Sequence, residues 1–322
     1  MGKKKFLNFA IIGCGSVAID HAKAIEKLGH NIILGTTKSK NSLNWKIFLK
    51  QFPYVKFSNI KKILENKDVD HVVSCLPLDE QKKYCEKLLF SKKSILIEKP
   101  LHDNYKKLDK IINNKKSYLN NKAIGYNRRN YEIIEFLKNR IDKGGVTSVS
   151  VNISENYNIL KKKYKSHLNK KFLHVGSSSH IIDLLQYLFV DIKVINKWVF
   201  RRKKLNSFSL VMKSKKNFPV FVKINPLDPD EVGIKVRFSD ESLWQLAPIE
   251  RLRIFKGYDI KKLGKKNFNK MYIPRIKSTY TENKHLRPGF VNQIKNFISN
   301  NSKKLCRPKQ NLKLIRLLNQ II

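Results

Sequence analysis

Asn8-Phe-Ala-Ile-Ile-Gly-Cys-Gly-Ser-Val-Ala18 decides the fold of this chain. A short, mostly apolar run enters a Gly-x-Gly-x-x-Ala turn, and a pattern of helical period continues from it through Leu28. A strand that turns this tightly into a helix leaves backbone N–H groups free at the helix start, where a pyrophosphate can sit. In that reading Gly13 makes the turn and Gly15 lets backbone approach phosphate. Ser16 and Val17 present the first amides of the helix, and Ala18 keeps helix and strand close.

Outward from this turn, the first 125 residues alternate short apolar runs with stretches of helical period, the pattern of a parallel sheet with crossover helices. The spacing predicts strands at Phe6–Ile12, Asn31–Gly35, His71–Cys75, Ser94–Ile97 and Lys122–Gly125. Helices are predicted over Val17–Leu28, Leu43–Phe52, Ile60–Glu65, Asp79–Leu89 and Tyr105–Asn113. Pro77 and Pro100 follow strands, where a missing N–H does no harm. After Tyr126 the rhythm changes. An amphipathic helix over Tyr131–Ile141 is closed by Gly144-Gly145, and Val146–Ser154 then alternates as a strand. Further strands are read at Lys193–Arg201, Ser207–Met212, Val220–Ile224, Gly233–Phe238 and Ser242–Ala247, with closing helices at Phe290–Ser299 and Gln310–Ile321. The expected class is α/β: a dinucleotide-binding domain over residues 1–125, then an α+β domain over 126–322 on a mostly antiparallel open sheet. The helices of 288–322 are candidates to pack back on the first domain.

The composition narrows the function. No apolar run approaches the ~18 residues of a membrane span. Met1-Gly-Lys-Lys-Lys-Phe-Leu7 lacks the apolar core of a signal peptide. Cys14, Cys75, Cys85 and Cys306 show neither Cys-x-x-Cys spacing nor His partners, so reduced thiols, a cytoplasmic location and no metal site are expected. The formal charge of +42 invites a nucleic-acid reading. Against it, Lys outnumbers Arg 55 to 12 and is spread along the whole chain, whereas base readout leans on Arg. No specific nucleic-acid partner is expected.

The cofactor is read from the end of the second strand. An Asp or Glu there would accept from the adenosine ribose and select NAD. The chain has Gly35-Thr-Thr-Lys-Ser-Lys-Asn41 instead. The hydroxyls of Thr37 and Ser39 and the ammonium of Lys38 suit a 2′-phosphate, which favours NADP. The alternative is a solvated Lys-rich loop in a protein that uses NAD.

His71-Val-Val-Ser-Cys-Leu-Pro-Leu78 and Ser94-Ile-Leu-Ile-Glu-Lys-Pro-Leu101 are the most specific pairing in the chain. With the fingerprint, Gly125-Tyr-Asn-Arg-Arg-Asn130 and Gly176-Ser-Ser-Ser-His-Ile-Ile-Asp-Leu-Leu185, they resemble the Gfo/Idh/MocA oxidoreductases, in family order and spacing. The resemblance implies a Rossmann domain with Leu76, Pro77 and Glu98 beside the cofactor. It implies Lys99 as a catalytic residue at the nicotinamide and His180 as a second catalytic, substrate-touching residue. The chemistry agrees for Lys99, since a lysine desolvated at a strand end can trade protons near neutrality. Asp183, three residues after His180, could orient its imidazole or serve the helix structurally. Asn127, Arg128 and Tyr157 are further candidates for substrate contact.

The implied reaction moves a hydride between nicotinamide and a secondary alcohol or ketone of a sugar, cyclitol or nucleotide-sugar derivative. One departure stands out. Many family members carry a carboxylate four residues before the active-site His, where this chain has Gly176. That puts an inositol-type substrate in doubt and leaves a noncatalytic dinucleotide-binding paralogue as the alternative. Seven basic side chains in Tyr157–Lys171 would attract an anionic substrate. A homo-oligomer is expected through the open sheet face, with Val220-Phe-Val-Lys-Ile224 as a compatible alternation.

Overall fold

The structure is a computed structural model that describes residues 6–164, 168–202, 205–227, 229–263, 269–283 and 286–322. The opening run forms β1 (Asn8–Ile12), and α1 (Ser16–Lys27) starts directly behind the glycine turn. There follow β2 (Asn31–Thr36), α2 (Leu43–Gln51), β3 (Lys56–Phe57), α3 (Ile60–Glu65), β4 (His71–Ser74) and α4 (Leu78–Phe90). Then come β5 (Ser94–Ile97), α5 (Tyr105–Ile112), β6 (Lys122–Ile124) and a 3₁₀ turn at Asn127–Asn130. Side chains start the helices locally: Ser42, Asn59 and Asn104 accept from the amides of Trp45, Lys62 and Lys107.

These strands form a six-stranded sheet of order β3-β2-β1-β4-β5-β6, every pair parallel. Such a sheet is covered on both faces, so the middles of its strands are apolar. Phe9, Ile11, Val73, Leu96 and Ala123 share a core with Ala18, Ala22 and Ile25 of α1 and Trp45 and Phe48 of α2.

That core is completed from the far end of the chain, by Phe290, Ile294 and Phe297 of α10 (Phe290–Ile298) and by Leu305. The amide of Ile124 donates to the carbonyl of Cys306 (2.8 Å), and the Arg307 guanidinium donates to the carbonyls of Asn120 and Lys122. By its contacts the chain divides into two units. One takes the chain through Asn130 and again from Asn283 to Arg316; the other comprises Tyr131–Glu282 and Leu317–Ile322.

The second unit contains α6 (Glu132–Asp142), β7 (Val146–Ser154), α7 (Tyr157–Tyr164), α8 (Leu168–Val175) and α9 (Ser177–Phe189). Then come β8 (Lys193–Phe200), β9 (Ser207–Lys213), β10 (Pro219–Asn225), β11 (Gly233–Phe238), β12 (Ser242–Leu246), β13 (Arg251–Leu263) and β14 (Asn269–Thr281). The last helix, α11 (Pro308–Ile321), carries the chain from the first unit into the second.

These eight strands form one sheet of order β14-β13-β12-β11-β7-β10-β9-β8, antiparallel except that β10 runs parallel to β7. Alternation fixes which face is covered. Val149, Val151 and Ile153 of β7, Val220, Val222 and Ile224 of β10, and Ile234 and Val236 of β11 are buried. Within Val220–Ile224, therefore, Phe221 alone is apolar on the open face, where it is 47% exposed.

Three elements differ from expectation. The long hairpin β13–β14 was not anticipated, because register shifts at Ile254/Phe255 and Phe255/Tyr258 break the alternation and most of its side chains stay exposed. The stretch before Gly176, for which no element was expected, is helical where described, as α7 and α8. The two-residue β3 is too short to carry a period.

Candidate active site

The parallel register puts the ends of four strands on one level: Ile12, Ser74, Ile97 and Ile124 are successive partners across β1, β4, β5 and β6. The ladder runs one residue further. Cys75 N donates to Ile12 O, Glu98 N to Ser74 O and Gly125 N to Ile97 O, each at 2.7 Å. Gly13, Cys75, Glu98 and Gly125 thus stand in a row at the carboxyl edge, the side on which open α/β sheets bind ligands.

At one end of this row lies the cradle expected from the sequence. Gly13 has φ +88°, and a Cβ there would sit 2.8 Å from the Cys75 carbonyl oxygen. Only glycine fits both constraints. Gly15 is the N-cap of α1, and no other atom comes within 4 Å of where its Cβ would be. Open space in front of a helix N-terminus, floored by glycine, fits the pyrophosphate of a dinucleotide. Ser16 is exposed, Val17 half-buried, and both begin α1. Leu76 is half-buried, and Pro77 is exposed at the N-cap of α4. Behind β2, Thr37 is half-buried while Lys38 and Ser39 are exposed. Thr37 Oγ1 donates to Ser39 O (2.8 Å), which folds this loop back on itself.

At the other end stands Glu98 with both oxygens engaged. Oε1 accepts from His21 Nε2 at 2.8 Å and Oε2 from the amide of Lys99 at 3.2 Å. Gly125 makes room for it: a Cβ there would lie 2.8 Å from Glu98 Oε1 and 3.1 Å from its Cα. Lys99 is half-buried immediately beyond, and Pro100 is buried behind it. Asn127 is buried and donates to the carbonyl of Pro288 (2.9 Å), so its amide group helps dock the returning segment. Arg128 points to chemistry more directly, since its Nη1 is buried with no hydrogen-bond partner among the described residues.

In the second unit, α9 carries His180, half-buried in its first turn, and Asp183, buried one turn on. Tyr157 lines an open cavity of about 470 Å³ together with Ser154, Glu155, Asn156, Asn158, Pro226, Leu227 and Pro229. Glu155 is buried, and its Oε1 accepts from both the amide (2.5 Å) and the hydroxyl (2.7 Å) of Ser178. Of the basic residues expected near a substrate, Lys161 and Lys162 are exposed, and the side chains of 163–171 lie outside the described ones.

Residues 7–122 match the model of the Gfo/Idh/MocA family, described as an oxidoreductase family with an NAD-binding Rossmann fold. Residues 7–122 are thus similar to that family's NAD-binding domain. No curated protein sequence matches the chain. Among solved structures, a UDP-N-acetylglucosamine 3-dehydrogenase from Acidithiobacillus ferrooxidans has a TM-score of 0.73 at 13% identity, covering 99% of this chain and 97% of that one. A dehydrogenase from Clostridium difficile has a TM-score of 0.75 at 16% identity, covering 98% and 99%. An oxidoreductase from Agrobacterium radiobacter, solved with NAD+, L-tartaric acid and magnesium, has a TM-score of 0.72 at 14% identity, covering 98% and 94%. At these identities the likeness is one of fold.

The Rossmann unit brings Gly13, Gly15, Cys75, Leu76, Glu98 and Lys99 to one sheet edge, while Tyr157, His180 and Asp183 belong to the other unit. Two residues beside the expected positions escaped the sequence reading. His21 is a wholly buried imidazole on the alanine-rich face of α1, packed against Phe290 with ring centroids 4.5 Å apart and planes tilted by 44°. A histidine among Ala18, Ala22 and Ala24 was the available signal. Glu155 carried none, because its partner Ser178 is 23 residues away.

Proposed function

We propose that this chain is an NAD(P)-dependent oxidoreductase acting on a secondary alcohol or ketone carbon of a sugar, cyclitol or nucleotide-sugar derivative. The observation that carries this reading is the level row of Gly13, Cys75, Glu98 and Gly125, with an open glycine cradle at one end and Lys99 at the other. Gly13, Gly15, Ser16 and Val17 hold the pyrophosphate by backbone N–H groups, and Leu76, Pro77 and Glu98 border the rest of the dinucleotide. When bound, the nicotinamide supplies the hydride acceptor or donor.

Lys99 holds the reacting oxygen with its ammonium and moves the proton that accompanies the hydride. Glu98 orients it, since one carboxylate oxygen takes the Lys99 amide while His21 immobilises the other. His180 is the second proton handler, with Asp183 behind it on the same helix. Arg128, with its unpartnered Nη1, and Tyr157 on the cavity wall contact substrate. Asn127 supports them from the turn.

Thr37, Lys38 and Ser39, with no acid after β2, favour NADP over NAD. The nucleotide-sugar class is supported by the name of one fold neighbour, a UDP-N-acetylglucosamine 3-dehydrogenase. The exposed Trp198, Phe200, Tyr258 and Tyr272 support a homo-oligomer closed over the open sheet. The four free cysteines support a cytoplasmic setting. Among the described residues no helix is long and apolar enough to cross a membrane.

The test is oxidation of NADPH and NADH by the purified protein against keto-sugars and nucleotide keto-sugars. Lys99→Ala should lower kcat by about 10²-fold or more while cofactor affinity changes by less than about twofold. Unchanged turnover in that variant overturns the assignment. A clear preference for NADH overturns the reading of the Thr37–Ser39 loop.

A further inference from the structure

Gly176 stands where a carboxylate was expected, and the structure shows what fills the space. A Cβ on Gly176 would overlap Glu155 Oε1 and lie 2.7 Å from Glu155 Cδ and 2.9 Å from Oε2. The acid of β7's end therefore occupies the volume in which a side chain at 176 would begin. Gly176 itself is the N-cap of α9, four residues before His180.

Capping alone does not account for this acid. In the same unit, Glu282 is a buried carboxylate that serves the start of α6, taking the amides of Ile133 and Glu132. Glu155 spends a single oxygen on one residue, Ser178, and lines the cavity. Its Oε2 has no hydrogen-bond partner among the described residues, although the residue is only 8% exposed. A carboxylate oxygen on a cavity wall with no protein donor is open to a ligand hydroxyl, which can replace the solvent it would otherwise accept from. The rest of the wall, with Asn156, Asn158, Tyr157, Pro226 and Pro229, offers amide groups and flat apolar surface around it.

We propose that Glu155 is the hydroxyl-reading carboxylate of the substrate site, accepting through Oε2 from a hydroxyl of a neutral polyol end of the substrate. This rests on the oxidoreductase reading above and sharpens it. A carboxylate repels phosphate, so any phosphate or nucleotide portion of the substrate lies away from this wall. Gly176 is then the condition for the acid rather than its loss.

Glu155→Gln tests this, because the amide oxygen can still accept from Ser178 while the other position becomes a donor. The probes are myo-inositol, D-glucose and UDP-N-acetylglucosamine, followed by saturation-transfer NMR with NADPH present. At least one should bind the wild-type protein and bind Glu155→Gln at least tenfold more weakly, with melting temperature and NADPH affinity unchanged. Glu282→Gln, which alters a cap away from the cavity, should bind as wild type. Equal affinity in wild type and Glu155→Gln, no binding of any probe, or an equal loss in Glu282→Gln each overturns the proposal. Loss of the Glu155 effect therefore fails in binding, and loss of the oxidoreductase reading fails in turnover.

Discussion

Two glycines in this chain make room for two carboxylates, Gly125 for Glu98 and Gly176 for Glu155, and the pairs differ in how fully the acid is held. Glu98 is satisfied on both oxygens, by His21 and by the amide of Lys99. Glu155 is satisfied on one, by Ser178. A carboxylate with both ends engaged is a fixed part of the scaffold that orients its neighbour. One with an end left over, on the wall of a cavity, is prepared for a ligand. The same local device therefore serves orientation in one unit and recognition in the other.

The largest effect separating the pairs is expected at Gly125. A Cβ there meets not only the Glu98 carboxylate but also Glu98 Cα at 3.1 Å, and backbone in a parallel sheet cannot swing aside. Gly125→Ala should cost about 3 kcal/mol in urea unfolding, and adding Glu98→Ala should recover only part of it. Gly176→Ala meets side-chain atoms alone, so about 2 kcal/mol is expected, most of it recovered when Glu155→Ala is added. Equal rescue at both positions would erase the distinction between the pairs. The smallest effect belongs to His21→Gln, which keeps a donor toward Glu98 and should cost about 1 kcal/mol. If that variant instead unfolds the chain, His21 is chiefly packing against Phe290 rather than holding the acid.

The parallel half of the fold was legible because its signals are local. Apolar strands, caps such as Ser42 and Asn104, and a glycine turn at Gly13 each sit within a few residues of what they determine. The β13–β14 hairpin was not legible, since its bulges cancel the period and its exposed face carries tyrosines and lysines that read as surface. The parallel pairing of β10 with β7 joins strands separated by more than 60 residues, and no turn chemistry announces it. The site divides the same way. Gly13 and Gly15 are read from the turn, and Leu76, Glu98 and Lys99 are implied by the family resemblance, whereas His21 with Glu98 and Glu155 with Gly176 exist only across folded distance. Gly176 read alone looked like a lost acid; with Glu155 beside it, the acid has moved.

The return of residues 283–316 to the Rossmann unit has a consequence for synthesis. A ribosome delivers the dinucleotide cradle well before Phe290, Ile294, Phe297 and Leu305, which close the core behind it. Until then the nascent sheet lacks the Cys306 carbonyl that accepts from the Ile124 amide and the Arg307 guanidinium that donates to the carbonyls of Asn120 and Lys122. The Rossmann unit is thus begun before Tyr131–Glu282 is made and completed only after it, so its sheet must wait through that synthesis for its last apolar partners.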